Sequence, residues 1–91
     1  MKIHITQQAA AWYIRELDLK AGDSVQFFGK VYGKDGFSFA LAIMEPSRPE
    51  VEVVIDGVRF YVEKSDAWFF SEHDLDITFD EIRNEPVLDR K

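Results

Sequence analysis

The dipeptide Asp56–Gly57 stands between VEVVI (51–55) and VRFYVE (58–63), two runs rich in β-branched and aromatic residues. A two-residue hairpin turn wants φ > 0 at both central positions, which glycine reaches without strain and aspartate tolerates. That turn commits this part of the chain to antiparallel sheet, and a sheet with one apolar face requires a second layer over it. The same period of two recurs upstream. SVQFFGKVY (24–32) sets Val25, Phe27 and Val31 at odd positions, with Gly29 marking a bulge or a close approach. FSFALAIM (37–44) puts Phe37, Phe39, Leu41 and Ile43 on one face. Ser38, Ala40 and Ala42 take the other face, and their small size predicts tight packing there. Gly33 to Gly36 joins these two strands as a hairpin tip.

The rest of the chain fits around this sheet. KIHI (2–5) forms a short opening strand, and Thr6 caps a helix over residues 7–17 with Ala10, Ile14, Leu17 and Tyr13 on one stripe. Gly22 supplies the stop. EPSRPE (45–50) cannot continue a strand because its two prolines lack amide donors. KSDAWFF (64–70) reads as a short helical turn capped by Ser65 or Asp66, and LDITFDEI (75–82) as the last strand. Beyond Asn84 the chain is polar and contains Pro86, which predicts one domain over 1–86 and a frayed tail over 87–91. The expected fold class is α+β, mainly β: a sandwich or pseudo-barrel of mostly antiparallel strands, with one main N-terminal helix and a short second one.

Composition narrows the chemistry. The 91 residues include no cysteine, which removes disulfides, thiolate metal sites and a catalytic thiol. The net charge of −6 is concentrated after residue 62, where nine acidic residues face four basic ones. Phosphate neutralisation needs clustered Lys and Arg, so nucleic acid is excluded as the expected partner. MKIHITQQAAAWY (1–13) shows no basic region followed by an apolar stretch, and no apolar run nears the ~20 residues that span a bilayer. The expectation is a soluble, cytoplasmic protein.

No catalytic constellation emerges. The five serines form no nucleophile elbow or Ser/His/Asp pattern. Gly33-Lys34-Asp35-Gly36 is followed by a strand, whereas a phosphate loop opens a helix. His4 and His73 are the only histidines. His73 lies among Glu72, Asp74 and Asp76, oxygen and nitrogen donors that suit a hard or borderline cation if the loop lets them converge. Trp68, Phe69 and Phe70 cannot all face one core from a regular element. They form either a contact surface or a short helix plugging one end of a barrel with two of the three. The residues expected to meet a ligand or partner are therefore Tyr32, Lys34, Asp35, Trp68 and Phe69. Neither a catalytic residue nor a cofactor is expected.

Taken together, KIHIT, LKAGDSVQFFGK, GKDGFSFAL, VVIDGVRFYVE and HDLDI resemble the HesB-like core domain, the fold of the A-type iron–sulfur carriers. The resemblance runs over residues 1–86 and is nearest to a short, cysteine-less, YneR-like branch. Carriers of this kind present a cysteine just before Gly-Phe-Ser and two more near the C-terminus. Here the first position falls on Lys34, and the chain ends NEPVLDRK. A protonated ammonium repels cations and has no lone pair, so the resemblance implies the fold without the cluster ligands. It implies a non-enzymatic accessory role with iron–sulfur assembly proteins as partners, as a monomer or a homodimer. Two alternatives stay open: an anion-binding module built on the same scaffold, and a metal binder using oxygen and nitrogen ligands.

Overall fold

The computed structural model describes residues 1–34 and 36–91. Along the chain lie β1 (Ile3–Ile5), α1 (Gln7–Glu16), β2 (Ser24–Tyr32), β3 (Gly36–Ile43), β4 (Pro49–Ile55) and β5 (Val58–Glu63). A 3₁₀ turn (Lys64–Asp66) then leads into α2 (Ala67–Phe70), followed by β6 (Leu75–Asp80) and β7 (Glu85–Arg90). The strands form two sheets, one ordered β3-β2-β5-β4 and the other β1-β6-β7. The fold is α+β and mainly β. Adjacent strands are mostly antiparallel, except for the parallel pairs β1–β6 and β2–β5.

Local chemistry accounts for the elements. Asp56 and Gly57 have φ of 52° and 80°, and Ile55 pairs with Val58 across them, as a two-residue turn requires. Thr6 is extended and its hydroxyl accepts from the Ala9 amide at 3.1 Å, which satisfies one of the free donors at the start of α1. The helix does not wait for Gly22 to stop. Asp18 takes φ 51°, its amide donates to the Arg15 carbonyl, and the Leu19 amide donates to that of Ile14. This paired-bond ending is usually built on glycine.

The C-terminal end also differs from expectation. Glu85–Arg90 is a strand and not a frayed tail: β7 pairs with β6 from Asp80↔Glu85 to Leu75↔Arg90. Pro86 is tolerated because β7 lies at a sheet edge, where a missing donor breaks no inner ladder.

The core lies between the four-stranded sheet and a layer made of the three-stranded sheet and α1. Val25, Phe27, Val58, Phe60 and Val62 meet Ile3, Leu75 and Ile77 together with Ala9, Ala10 and Tyr13, all buried. The Tyr13 ring meets Phe27 edge-on at 5.6 Å, and Phe27 stacks on Phe60 at 6.1 Å. Burial pushes the Tyr13 phenol up to about 12, because the phenolate would lose its hydration there.

The cover is uneven. β3 makes its extensive contacts with β2 alone. Its odd-numbered residues share one face as predicted, yet Phe37, Leu41 and Ile43 are exposed. Ser38, Ala40 and Ala42 are only half-buried opposite Lys30, Phe28 and Gln26, not under the tight packing that their size predicts.

Candidate functional site: an aromatic notch beside the hairpin tip

Phe69 organises the surface around the β2–β3 tip. α2 is a single turn, ended by Ser71 and Glu72 at φ 47° and 70°. It buries Phe69 and Phe70 and leaves Trp68 62% exposed. The three-aromatic run is thus divided, two rings inward and one outward. The Phe69 ring lies so close to the backbone of Gly29 that a β-carbon there would sit 2.3 Å from it. Gly29 is therefore a close-approach glycine, and the β2–β3 register runs through it without a bulge. Phe69 also meets Phe37, Phe39 and Trp68 in edge-on contacts at 5.6, 5.8 and 6.0 Å.

A cation completes the cluster. The Arg90 guanidinium lies 4.3 Å from the Phe37 ring centre and 4.7 Å from that of Phe69, and its Nη1 donates to the Phe69 carbonyl at 2.8 Å. Arg90 reaches this position only because β7 is a strand in register with β6. An open notch of about 410 Å³ results, walled by Val31, Phe37, Trp68 and Phe69 with Lys34, Ser71 and Arg90 at its polar side. Two cations beside aromatic faces favour an anionic group attached to an apolar one.

Of the residues expected to act together, Lys34, Trp68 and Phe69 converge on this notch. Tyr32 does not line it: its hydroxyl accepts from Ser38 Oγ at 3.2 Å, on the face of β2 opposite Val31. Asp35 falls outside the described residues. Sequence alone does not flag Arg90 and Phe37 as site residues: Arg90 lies in the segment expected to fray, and Phe37 is one of the alternating residues on one face of its strand.

The acidic loop is organised differently from a metal centre. Asp74 accepts from the Lys2 amide at 2.8 Å and meets His4 Nε2 at 3.1 Å. The backbone bond first, and the His4 bond second, hold its carboxyl below the usual range. Asp76 lies 3.6 Å from Lys91 Nζ. Among the described residues, no three His, Cys, Asp or Glu side chains are placed to hold a metal ion.

A larger cleft of about 570 Å³ lies by the loop after β3 and includes Gln26, Met44, Arg48 and Glu63. Gln26 there donates to the Asp66 carboxylate at 2.7 Å, and two groups at the cleft serve the backbone. The buried Glu63 carboxylate accepts from the amides of Ser47 at 2.5 Å and Arg48 at 2.7 Å. The Tyr61 hydroxyl donates to the Met44 carbonyl at 2.6 Å. This is a clamp on a proline-containing loop, whose free backbone groups need such partners.

Fold and notch together define a small two-sheet α+β domain with an open aromatic notch lined by Lys34 and Arg90. No family model matches the chain. It is 39% identical to the pyruvate dehydrogenase inhibitor of Bacillus subtilis (strain 168), with 98% of each chain covered. It is 34% identical to an uncharacterized protein of Staphylococcus saprophyticus, covering 82% of this chain and 84% of that one. An uncharacterized protein of Staphylococcus epidermidis is 32% identical, over 97% of this chain and 95% of that one. The chain belongs to the family that includes the Bacillus subtilis pyruvate dehydrogenase inhibitor.

Proposed function

We propose that this chain is a non-catalytic inhibitor that binds the pyruvate dehydrogenase complex through the notch between the β2–β3 tip and α2. The observation that carries this reading is the 39% identity, end to end, with a relative named pyruvate dehydrogenase inhibitor. The notch supplies a physical means. Trp and Arg dominate the energetics of protein interfaces, and here an exposed Trp68 stands beside Arg90 and Lys34. The partner surface that fits is an acidic segment carrying an apolar side chain. The reading includes a cytoplasmic location; no helix among the described residues is long and apolar enough to cross a membrane.

The test is NADH production by purified pyruvate dehydrogenase complex titrated with this chain. Saturable, stoichiometric inhibition is expected, weakened about tenfold or more by Trp68→Ala or Lys34→Glu. No inhibition at large excess sinks the reading. Inhibition that deepens with time at substoichiometric amounts identifies an enzyme instead.

A second reading, an accessory role in iron–sulfur assembly, is favoured by one observation. Lys34, at the position where the carriers it resembles present their first cysteine, lines this same notch. Anaerobic incubation with ferrous iron and sulfide, with metal analysis after desalting, tests direct cluster binding. Capture of assembly proteins that is lost in Trp68→Ala tests the accessory role.

A further inference from the structure

The two sheets have four edges, and three carry features that discourage pairing. β1 is three residues long. β4 carries Pro49, Glu50 and Glu52, with a register shift between Pro49 and Val51. β7 carries Glu85, Pro86, Asp89 and Arg90. Short length, proline, charge and bulges are the devices that keep edges from joining other chains. β3 has none of them. Its eight residues, GFSFALAI, contain no charge and no proline, and Phe37, Leu41 and Ile43 are 48%, 36% and 56% exposed.

We propose that the free edge of β3 pairs antiparallel with the β3 edge of a second copy of this chain, fusing the two four-stranded sheets across a two-fold axis. The sequence of β3 is self-complementary for this arrangement. A two-fold axis normal to the sheet at Ala40 sets Phe37 opposite Ile43, Phe39 opposite Leu41 and Ser38 opposite Ala42 of the other copy. Apolar side chains then meet apolar ones on one face and small ones meet small ones on the other. Aromatic–aliphatic cross-strand pairs are favourable units of sheet stability. Lys34 lies just before β3 and Glu45 just after it, both exposed, and neither forms an ion pair among the described residues. In the register centred on Ala40, Lys34 counts opposite Pro46 and Glu45 opposite Asp35 of the other copy, so the flanking charges add nothing to the pairing and the uncharged strand between them carries it. The net charge of −6 per chain opposes association at long range, but physiological salt screens it within about 8 Å.

Sedimentation equilibrium of the full chain from about 1 μM to about 1 mM tests this, a range that spans weak to moderate self-association. A reversible dimer is expected. Ile43→Lys places a charge on the paired edge and weakens the dimer about tenfold or more. Val54→Lys, on β4 and exposed to the same degree, leaves it unchanged. Thermal melts of each variant establish that the fold survives. A chain that stays monomeric throughout overturns the proposal, as does an equal effect of the β3 and β4 lysines. Protection of β3 amides seen only when the pyruvate dehydrogenase complex is added also overturns it, in favour of a partner's strand. None of these measurements depends on inhibition, so this proposal and the inhibitory reading fail separately.

Discussion

β3 and β4 are the two edges of one sheet, and they are finished in opposite ways. At β4, the chain arrives through a proline-containing loop whose amides are held by the buried Glu63 carboxylate, and acidic residues guard the strand. At β3, nothing guards the strand, and its support comes from one end, where Phe69 lies over Gly29 and Arg90 spans Phe37 and Phe69. The polar clamp spends its hydrogen bonds on its own backbone. The aromatic cluster leaves the Trp68 ring exposed, with Lys34 and the half-buried Arg90 beside the notch. The difference bears on the proposed binding surface: beside the larger cleft, Glu63 and Tyr61 are committed to the backbone, whereas the smaller notch keeps the Trp68 ring exposed.

The sharpest way to break this contrast is Phe69→Ala, which removes the hub of the β3-side cluster. A loss of about 3–5 kcal/mol in urea unfolding is expected, and hydrogen exchange should quicken in β3 before β4. Equal loss of protection at both edges would mean that the two flanks form one cooperative unit.

Tyr13 touches Phe27 and sits 6.3 Å from Phe60, so it supports β2 and β5 alike. Burial holds its phenol at about 12, above the ordinary phenol value of 10.0. Stability from keeping it neutral is complete below pH 10 and is lost as pH rises toward 12, by about 2–3 kcal/mol. Tyr13→Phe should flatten that alkaline limb, and a limb unchanged in the variant excludes Tyr13 as its source.

Gly29→Ala drives a methyl into the Phe69 ring, for a cost of about 1–3 kcal/mol. Measured in the Phe69→Ala background, the cost should shrink, since the clash has gone. Additive losses would show that Gly29 acts through the backbone alone. The smallest expected effect is on the other flank. Glu63→Gln keeps one good acceptor for the Ser47 and Arg48 amides in place of two, and costs about 1–2 kcal/mol. Its exchange signature should be confined to residues 44–50 and leave the Trp68 fluorescence of the notch unchanged.

Much of this was legible in the residues themselves. Asp56–Gly57 specified a turn and Thr6 a cap, each through a constraint acting within a few bonds, whereas Gly29 was consistent with a bulge or a close approach until the seating of Phe69 decided for the latter. Period-two patterning also assigned Phe37, Phe39, Leu41 and Ile43 to one face. It did not say whether anything covers that face, and for most of β3 little does. β7 escaped notice because charge and Pro86 obscure its pattern, and both are acceptable only at an edge, a fact of strand order. The helix ends at the expected residue, Leu17, but its stop is Asp18 in the left-handed conformation, not Gly22.

Five of the residues that matter to the notch divide along the same line. Trp68, Phe69 and Lys34 are identifiable because an aromatic run and a Gly-flanked tip are local features. Arg90 and Phe37 join them only through the pairing of β7 with β6 and the seating of α2 on β2. By itself the sequence determined the turns, the caps, the alternating faces and the absence of thiolate chemistry, because these follow from backbone sterics and side-chain inventory. Only the tertiary structure decided which edge stays bare, which ring faces outward and which cation stands beside it. Those outcomes depend on contacts between segments far apart in the chain, for which local periodicity carries no information.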